Sequence, residues 1–151
     1  DLPFDYYLDL LRGLKAIRPG IHLKCFTAVE IAFFADLYGM SDEGVLQALM
    51  AAGLDSLPGG GAEIFSDRTR MAAWDKKTKS DVWLRIHGEA HELGIATNCT
   101  MLYGHVEAIE DRIEHLPFLR WKLARVPLGL DHARWVDVGR IDVDPGIEPG
   151  R

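Results

Sequence analysis

Leu54–Phe65 reads Leu-Asp-Ser-Leu-Pro-Gly-Gly-Gly-Ala-Glu-Ile-Phe, and this stretch decides the fold. Leu54–Leu57 has the short apolar character of a buried strand. Pro58–Gly61 punctuates it, and Ala62–Met71 has the composition of a short helix with a loop behind it. A strand that passes through a tight loop into a helix is the joint of a β/α unit. Three consecutive glycines there need a reason, since glycine costs about 0.5–1 kcal/mol relative to alanine inside a regular element. Two reasons are open: a tight backbone turn, or bare N–H groups that meet a polar ligand near a helix N-terminus.

Working outward, Tyr7, Leu8, Leu11, Leu14 and Ile17 recur at steps of three and four, which predicts a helix over Phe4–Ile17 ended by Pro19-Gly20. Ile21–Thr27 alternates like a short strand. An apolar helix follows from Ala28 to Leu37, stopped by Gly39. Ser41 then has the place of an N-cap, with Asp42 and Glu43 in the first turn, where the helix dipole favours acids, and Gly53 closes that helix. Beyond the glycines, Ser80-Asp81 is expected to cap a helix that ends at Gly94. Ile95–Tyr103 reads as one strand, and a last helix starts near Ala108.

Alternating helices and strands predict the α/β class, with parallel (β/α) units joined by crossover helices and forming part of a TIM-type barrel. In such barrels the chemistry sits where strands end and loops begin. Three such ends are legible: Phe26–Glu30, Pro58–Glu63 and Asn98–His105. They hold the polar and glycine-rich oddities of the chain. The division expected is 1–125 for the partial barrel and 126–151 for a divergent tail, irregular but for one short strand near Trp135–Val138.

Composition narrows the function. Of 151 residues, 48% are hydrophobic and 26% charged, which suits a packed core. A net charge of −6 with no basic cluster argues against nucleic acid or a membrane surface as partner. No apolar run reaches membrane-span length. The N-terminus lacks the basic region of a signal peptide, and two distant cysteines, Cys25 and Cys99, are no disulfide framework; both point to the cytoplasm. The chain opens on Asp rather than Met, as expected of a sequence that begins inside a longer one or has been processed.

Familiar motifs fail on inspection. Gly59–Ile64 lacks the third glycine of a dinucleotide fingerprint and has no Lys-Ser/Thr of a P-loop. His87-Gly88-Glu89-Ala90-His91 sets two histidines at i, i+4, but Glu89 occupies neither slot used by zinc peptidases. The expected place of this pair is a solvated face on the outside of the barrel.

Four stretches carry a resemblance: LPFDYYLDLLRGLK (2–15), IHLKCFTAVEI (21–31), LDSLPGGGAEIFSDR (54–68) and HELGIATNCTMLYGHVE (91–107). In order and spacing they resemble aminofutalosine synthase, a radical S-adenosylmethionine (SAM) family of menaquinone synthesis by the futalosine route. The resemblance covers about Asp1–Leu116. It implies a radical SAM barrel, a [4Fe-4S] cluster and SAM as cofactors, and transfer of the 5′-deoxyadenosyl group onto an enolpyruvyl (carboxyvinyloxy) benzoate to give aminofutalosine. The sister families, cyclic dehypoxanthine futalosine synthase and the deazaflavin-precursor synthases, share the outline.

The resemblance also implies a SAM- and substrate-binding set: Glu30, Gly59, Gly60, Gly61, Glu63, Arg68, Asn98, Thr100, Tyr103 and His105. The glycines would lie against the ligand cavity, and Glu63 would accept hydrogen bonds. Glu30 would accept from vicinal hydroxyls, or merely complement the start of a helix. Asn98 and Thr100 share a strand face, with Tyr103 and His105 at its mouth. Arg68 or Arg70 would pair with a substrate carboxylate, or lie at the surface. The departures are as specific. The CxxxCxxC cluster loop is absent, and Cys25 and Cys99 cannot replace three close thiolates. Pro117 is expected to interrupt the last helix. The chain is therefore expected to be an internal fragment, inactive alone; the alternative is a cluster-less half-barrel that binds a nucleoside or a partner chain.

Overall fold

The computed structural model describes residues 2–73, 78–104, 106–123 and 136–140. Helix α1 runs Phe4–Ile17 and buries Leu8 and Leu11. Ile17, read as part of that stripe, is 84% exposed, because the helix has run past its neighbours by then. Helix α2, Ala28–Tyr38, starts at a capping box in which the Glu30 carboxylate accepts from the Thr27 N–H (2.6 Å) and hydroxyl (2.7 Å). Helix α3, Asp42–Ala52, is capped by Ser41 Oγ, which accepts from the Gly44 N–H at 3.0 Å. Gly39 and Gly53 end α2 and α3 in the left-handed conformation.

The expected strand over 21–27 is an extended segment with a single parallel bridge, Lys24 to Ser56. Phe26 adopts φ +58°, which turns the backbone out of the pleat and stops the ladder. Asp55 anchors the segment instead. Its Oδ2 accepts from the Leu23 N–H (2.7 Å) and from Lys15 Nζ (2.6 Å), and its own N–H donates to Leu23 O. Those donors, the Leu23 N–H first and Lys15 second, hold the Asp55 carboxyl below its ordinary range.

Strand β1 is Ser56–Leu57, helix α4 Asp67–Ala73, and helix α5 Ser80–Glu92. The residue that caps α5 is Lys79, not Ser80. The Ser80 hydroxyl is drawn away to donate to Phe65 O at 3.1 Å. The run 95–103, expected as one strand, divides at Asn98 into β2, Ala96–Thr97, and β3, Cys99–Tyr103. Strand β2 pairs in parallel with β1, with Ser56 opposite Ala96 and Leu57 opposite Thr97. Strand β3 pairs in parallel with β4, Val136–Arg140, with Cys99 opposite Val136.

Helix α6 spans Ile109–Leu123 and carries Pro117 without a break. A proline removes one hydrogen bond of the ladder, and Glu114, Leu116, Leu119 and Arg120 around it favour the helix. The tail residues 124–135 and 141–151 lie outside the described residues. Both strand pairs are parallel and joined through helices, so the α/β crossover pattern is present. Among the described residues no helix is long and apolar enough to cross a membrane. The core joins Leu8 and Leu11 of α1, Ile31 and Phe34 of α2, Leu46 and Leu49 of α3, Leu57, and Trp83 and Ile86 of α5. Each such side chain contributes roughly 1.5–3 kcal/mol by leaving water, which makes this cluster the main support of the loops above it.

Candidate functional site

The loop after β1 runs from Gly59 to Phe65, and each of its carbonyls accepts a hydrogen bond from the protein. Gly59 O accepts from Thr100 Oγ1 (2.9 Å) and the Ala62 N–H. Gly60 O accepts from Trp83 Nε1 (3.1 Å). The Arg70 guanidinium donates to Gly61 O (3.2 Å), Ala62 O (2.8 Å) and Ile64 O (3.1 Å), and also to Thr78 O. Glu63 O accepts from the Leu102 N–H (3.0 Å), and Phe65 O from Ser80 Oγ. The loop is therefore gripped from α4, α5 and β3.

This grip explains why α4 begins at Asp67 and not at Ala62 as expected. Carbonyls 61, 62 and 64 are pulled sideways to Arg70. Gly61 (φ +91°) and Glu63 (φ +46°) also hold left-handed conformations that no α-helix accommodates. It also answers the question of the glycines. A Cβ on Gly59 would lie 2.6 Å from both Asn98 O and Cys99 Cα, so β3 crosses there at backbone distance. A Cβ on Gly61 would lie 2.6 Å from Val29 Cγ2, and one on Gly60 3.1 Å from Thr27 Cγ2. What crowds these three positions is protein: β3 on one side and the start of α2 on the other.

The structure brings together Gly59, Asn98 and Thr100, sets Gly60 beside Thr27 of the α2 cap, and joins Glu63 to β3. Asn98 sits where β2 gives way to β3. Its Oδ1 is enclosed and has no hydrogen-bond partner among the described residues. Glu30 is committed to its capping box. Exposed Arg68 pairs with the buried carboxylate of Asp111, and the Arg112 guanidinium lies 5.1 Å over the Tyr103 ring. His105 lies outside the described residues.

Six residues, on α4, α5 and α6, matter more than the sequence suggested. Arg70 is nearly buried, and desolvation lowers its pKa while the Glu63 and Asp67 charges oppose that shift. Trp83 stacks on His87 at 3.6 Å between ring centroids. His87 and His91, expected on a solvated face, are both buried because α5 turns that face inward. Burial pulls His87 down to about 3, with the neighbouring His91 adding to the shift. His115 is fully buried against Phe65, its Nε2 is 3.2 Å from Thr100 O, and desolvation takes it to about 4. Asp111 ties α4 to α6 by accepting from the Ala108 N–H (2.7 Å), Thr69 Oγ1 (3.0 Å) and Arg68. The Ala108 N–H is the main cause of its pKa falling to about 2. A tryptophan four residues before a histidine pair at helical spacing was the available signal for Trp83 and His87. The role of Arg70 depends on carbonyls six to nine residues away, which no local pattern shows.

A [4Fe-4S] cluster does not fit these residues. The chain has two cysteines. Burial pushes the Cys99 thiol up to about 12, which keeps it protonated where a ligand must be a thiolate. Among the described residues no three His, Cys, Asp or Glu side chains are grouped to hold a metal. The enclosed Asn98 Oδ1 does fit a donor group of an organic ligand.

Fold and site thus define an α/β protein whose candidate site is a backbone loop at the end of a parallel strand. No family model matches the chain. The chain is similar to aminodeoxyfutalosine synthase: 52% identical to that of Thermus thermophilus over 118 residues, or 78% of this chain and 32% of the relative. The Streptomyces coelicolor synthase is 49% identical over 120 residues, 80% of this chain and 31% of the relative. A 5-amino-6-(D-ribitylamino)uracil–L-tyrosine 4-hydroxyphenyl transferase of Methanopyrus kandleri is 44% identical over 117 residues, 78% and 32% respectively. The chain spans about a third of the length of these relatives, all of them enzymes by name.

Proposed function

We propose that the chain contributes the ligand-facing loops of a radical SAM (β/α) barrel, and that the reaction served is formation of aminofutalosine from SAM and a carboxyvinyloxy-benzoate. The observation that carries this reading is the 52% identity to an aminodeoxyfutalosine synthase over 118 residues. The 44% identity to a 4-hydroxyphenyl transferase makes the sister chemistry the second reading. No step is assigned to a cluster on this chain's own thiols.

SAM, when bound, would supply the 5′-deoxyadenosyl group that the reaction transfers. The residues' part is to hold and orient. A trans peptide points its N–H opposite to the carbonyl of the residue before it. With Gly59 O and Gly60 O turned to Thr100 and Trp83, the N–H groups of Gly60 and Gly61 face the other way. They would donate to a carboxylate, and Asn98 Oδ1 would accept from a hydroxyl or amine of the same ligand. Glu63, beside Gly61 and Ala62, would add an acceptor, and Thr100 would act through Gly59. Arg70 is occupied by carbonyls and takes no substrate carboxylate in this reading.

The test is anaerobic iron–sulfur reconstitution of the 151-residue chain and, in parallel, of the full reading frame found by sequencing the source DNA on both sides. Aminofutalosine formed by the longer protein, with no iron uptake or SAM cleavage by the 151-residue chain, is the expected result. SAM cleavage by the short chain alone sinks the assignment of roles. A deazaflavin-precursor product from the longer protein moves the reading to the transferase.

A further inference from the structure

We infer that Arg70 is the positioning residue of the 59–65 loop, acting through a planar, buried guanidinium that fixes four carbonyls at once. The geometry is specific. Nη1 donates to Gly61 O, Ala62 O and Ile64 O, and Nη2 to Gly61 O and Thr78 O. The side chain is 6% exposed, so no water stands in for a missing donor. Gly61, Ala62 and Ile64 lie on both sides of Glu63, whose φ of +46° is a conformation L-residues rarely adopt. One cation therefore holds the carbonyls around the strained residue, and Thr78 O brings the approach to α5 onto the same group. Lysine offers a point charge on a flexible stem and cannot reproduce the fork.

The consequence falls on the donor edge of the loop. With the carbonyls around Glu63 fixed inward, the peptide planes between Gly61 and Phe65 are set, and so is the place of any ligand beside Asn98. Only that last clause rests on the function proposed above; the hold of Arg70 on the loop does not.

The experiment uses the whole 151-residue chain, labelled with nitrogen-15. Amide exchange is followed at Ala62 (bonded to Gly59 O) and Leu102 (bonded to Glu63 O), and at the Trp83 indole N–H (bonded to Gly60 O). In Arg70→Lys these three are expected to exchange at least about tenfold faster, while α2 and α3 amides change by less than about twofold. Arg70→Ala is expected to behave likewise and to be restored by a low, non-denaturing concentration of guanidinium. If Arg70→Ala fails to fold, Arg70→Lys alone decides. Wild-type protection in Arg70→Lys overturns the inference, and so does loosening of α2 and α3 to the same degree as the loop. SAM titrated against the wild type, read at the Asn98 and Gly60 resonances, separates the two claims. No shift in the wild type counts against ligand binding here and leaves the exchange result to judge Arg70. A shift lost in Arg70→Lys supports both.

Discussion

Gly59 has no room for a side chain, and the atoms that would be struck are backbone. Asn98 O and Cys99 Cα, each 2.6 Å from the built Cβ, cannot swing aside as a side chain would. Gly59→Ala should therefore destabilise the chain by about 1–3 kcal/mol in urea unfolding. Gly13 is the matched control. It sits inside α1, with nothing within 4 Å of the added Cβ. Gly13→Ala should stabilise by about 0.5–1 kcal/mol, because only the helix preference of alanine acts there. Equal effects at the two positions would mean that the close approach of β3 does not constrain Gly59. That a run of three glycines required explanation was legible in the sequence. What crowds it was not, because Cys99 lies 40 residues along the chain.

Thr27 and Glu30 illustrate the same division within an element. Start and stop signals placed α1, α2 and α3 within a residue of their ends, since a cap and an apolar period are both local. Glu30 was open to two readings, a ribose acceptor or a helix-start acid. Its bonds to the Thr27 N–H and hydroxyl give the carboxylate to the helix. Thr27→Ala should accordingly cost about 1 kcal/mol of stability, read as a lowered thermal midpoint. A Thr27→Ala midpoint equal to the wild type would show that the box contributes nothing. The misread elements are those set from a distance. The 21–27 segment is held by Asp55, α4 is delayed by the carbonyls that Arg70 claims, and the run 95–103 changes partner at Asn98 from β1 to β4.

On the scale of the whole molecule, buried imidazoles make stability depend on pH. His87 and His115 stay neutral in the folded chain down to about 3 and 4, against an ordinary value of 6.5. Their folded values are depressed, so the unfolded chain takes up the proton first. Their contribution is complete above 6.5 and is lost as pH falls from there, towards 4 for His115 and towards 3 for His87. For His87 alone the loss at pH 5 is about 2 kcal/mol. The drop in urea midpoint between pH 7.5 and pH 5 should shrink in His87→Phe, which keeps a ring against Trp83. An unchanged drop would place the acid sensitivity in the other buried imidazoles, His91 and His115, which burial also lowers from 6.5. The parallel α/β pattern and the loop after β1 could be read from the sequence, whereas the expected strand end at 26–30 follows no strand and the one at 98–105 is largely strand β3 itself. The inward turn of the His87–His91 face could not, because helical spacing says which residues share a face and not which way it looks.

The seven carbonyls from Gly59 to Phe65, all of them hydrogen-bonded and three of them to Arg70, make the length of this loop a fixed quantity. One extra residue inserted there would move every later acceptor out of phase with Trp83, Arg70, Leu102 and Ser80 together, and one deletion would do the same in the other direction. Functional variants of this chain should accordingly differ in side chains between Pro58 and Ser66 but keep the count, and length changes should gather instead in stretches such as the turn at Arg18–Gly20. A library of single-codon insertions scanned along the gene, with soluble yield as the readout, would show that window as a gap.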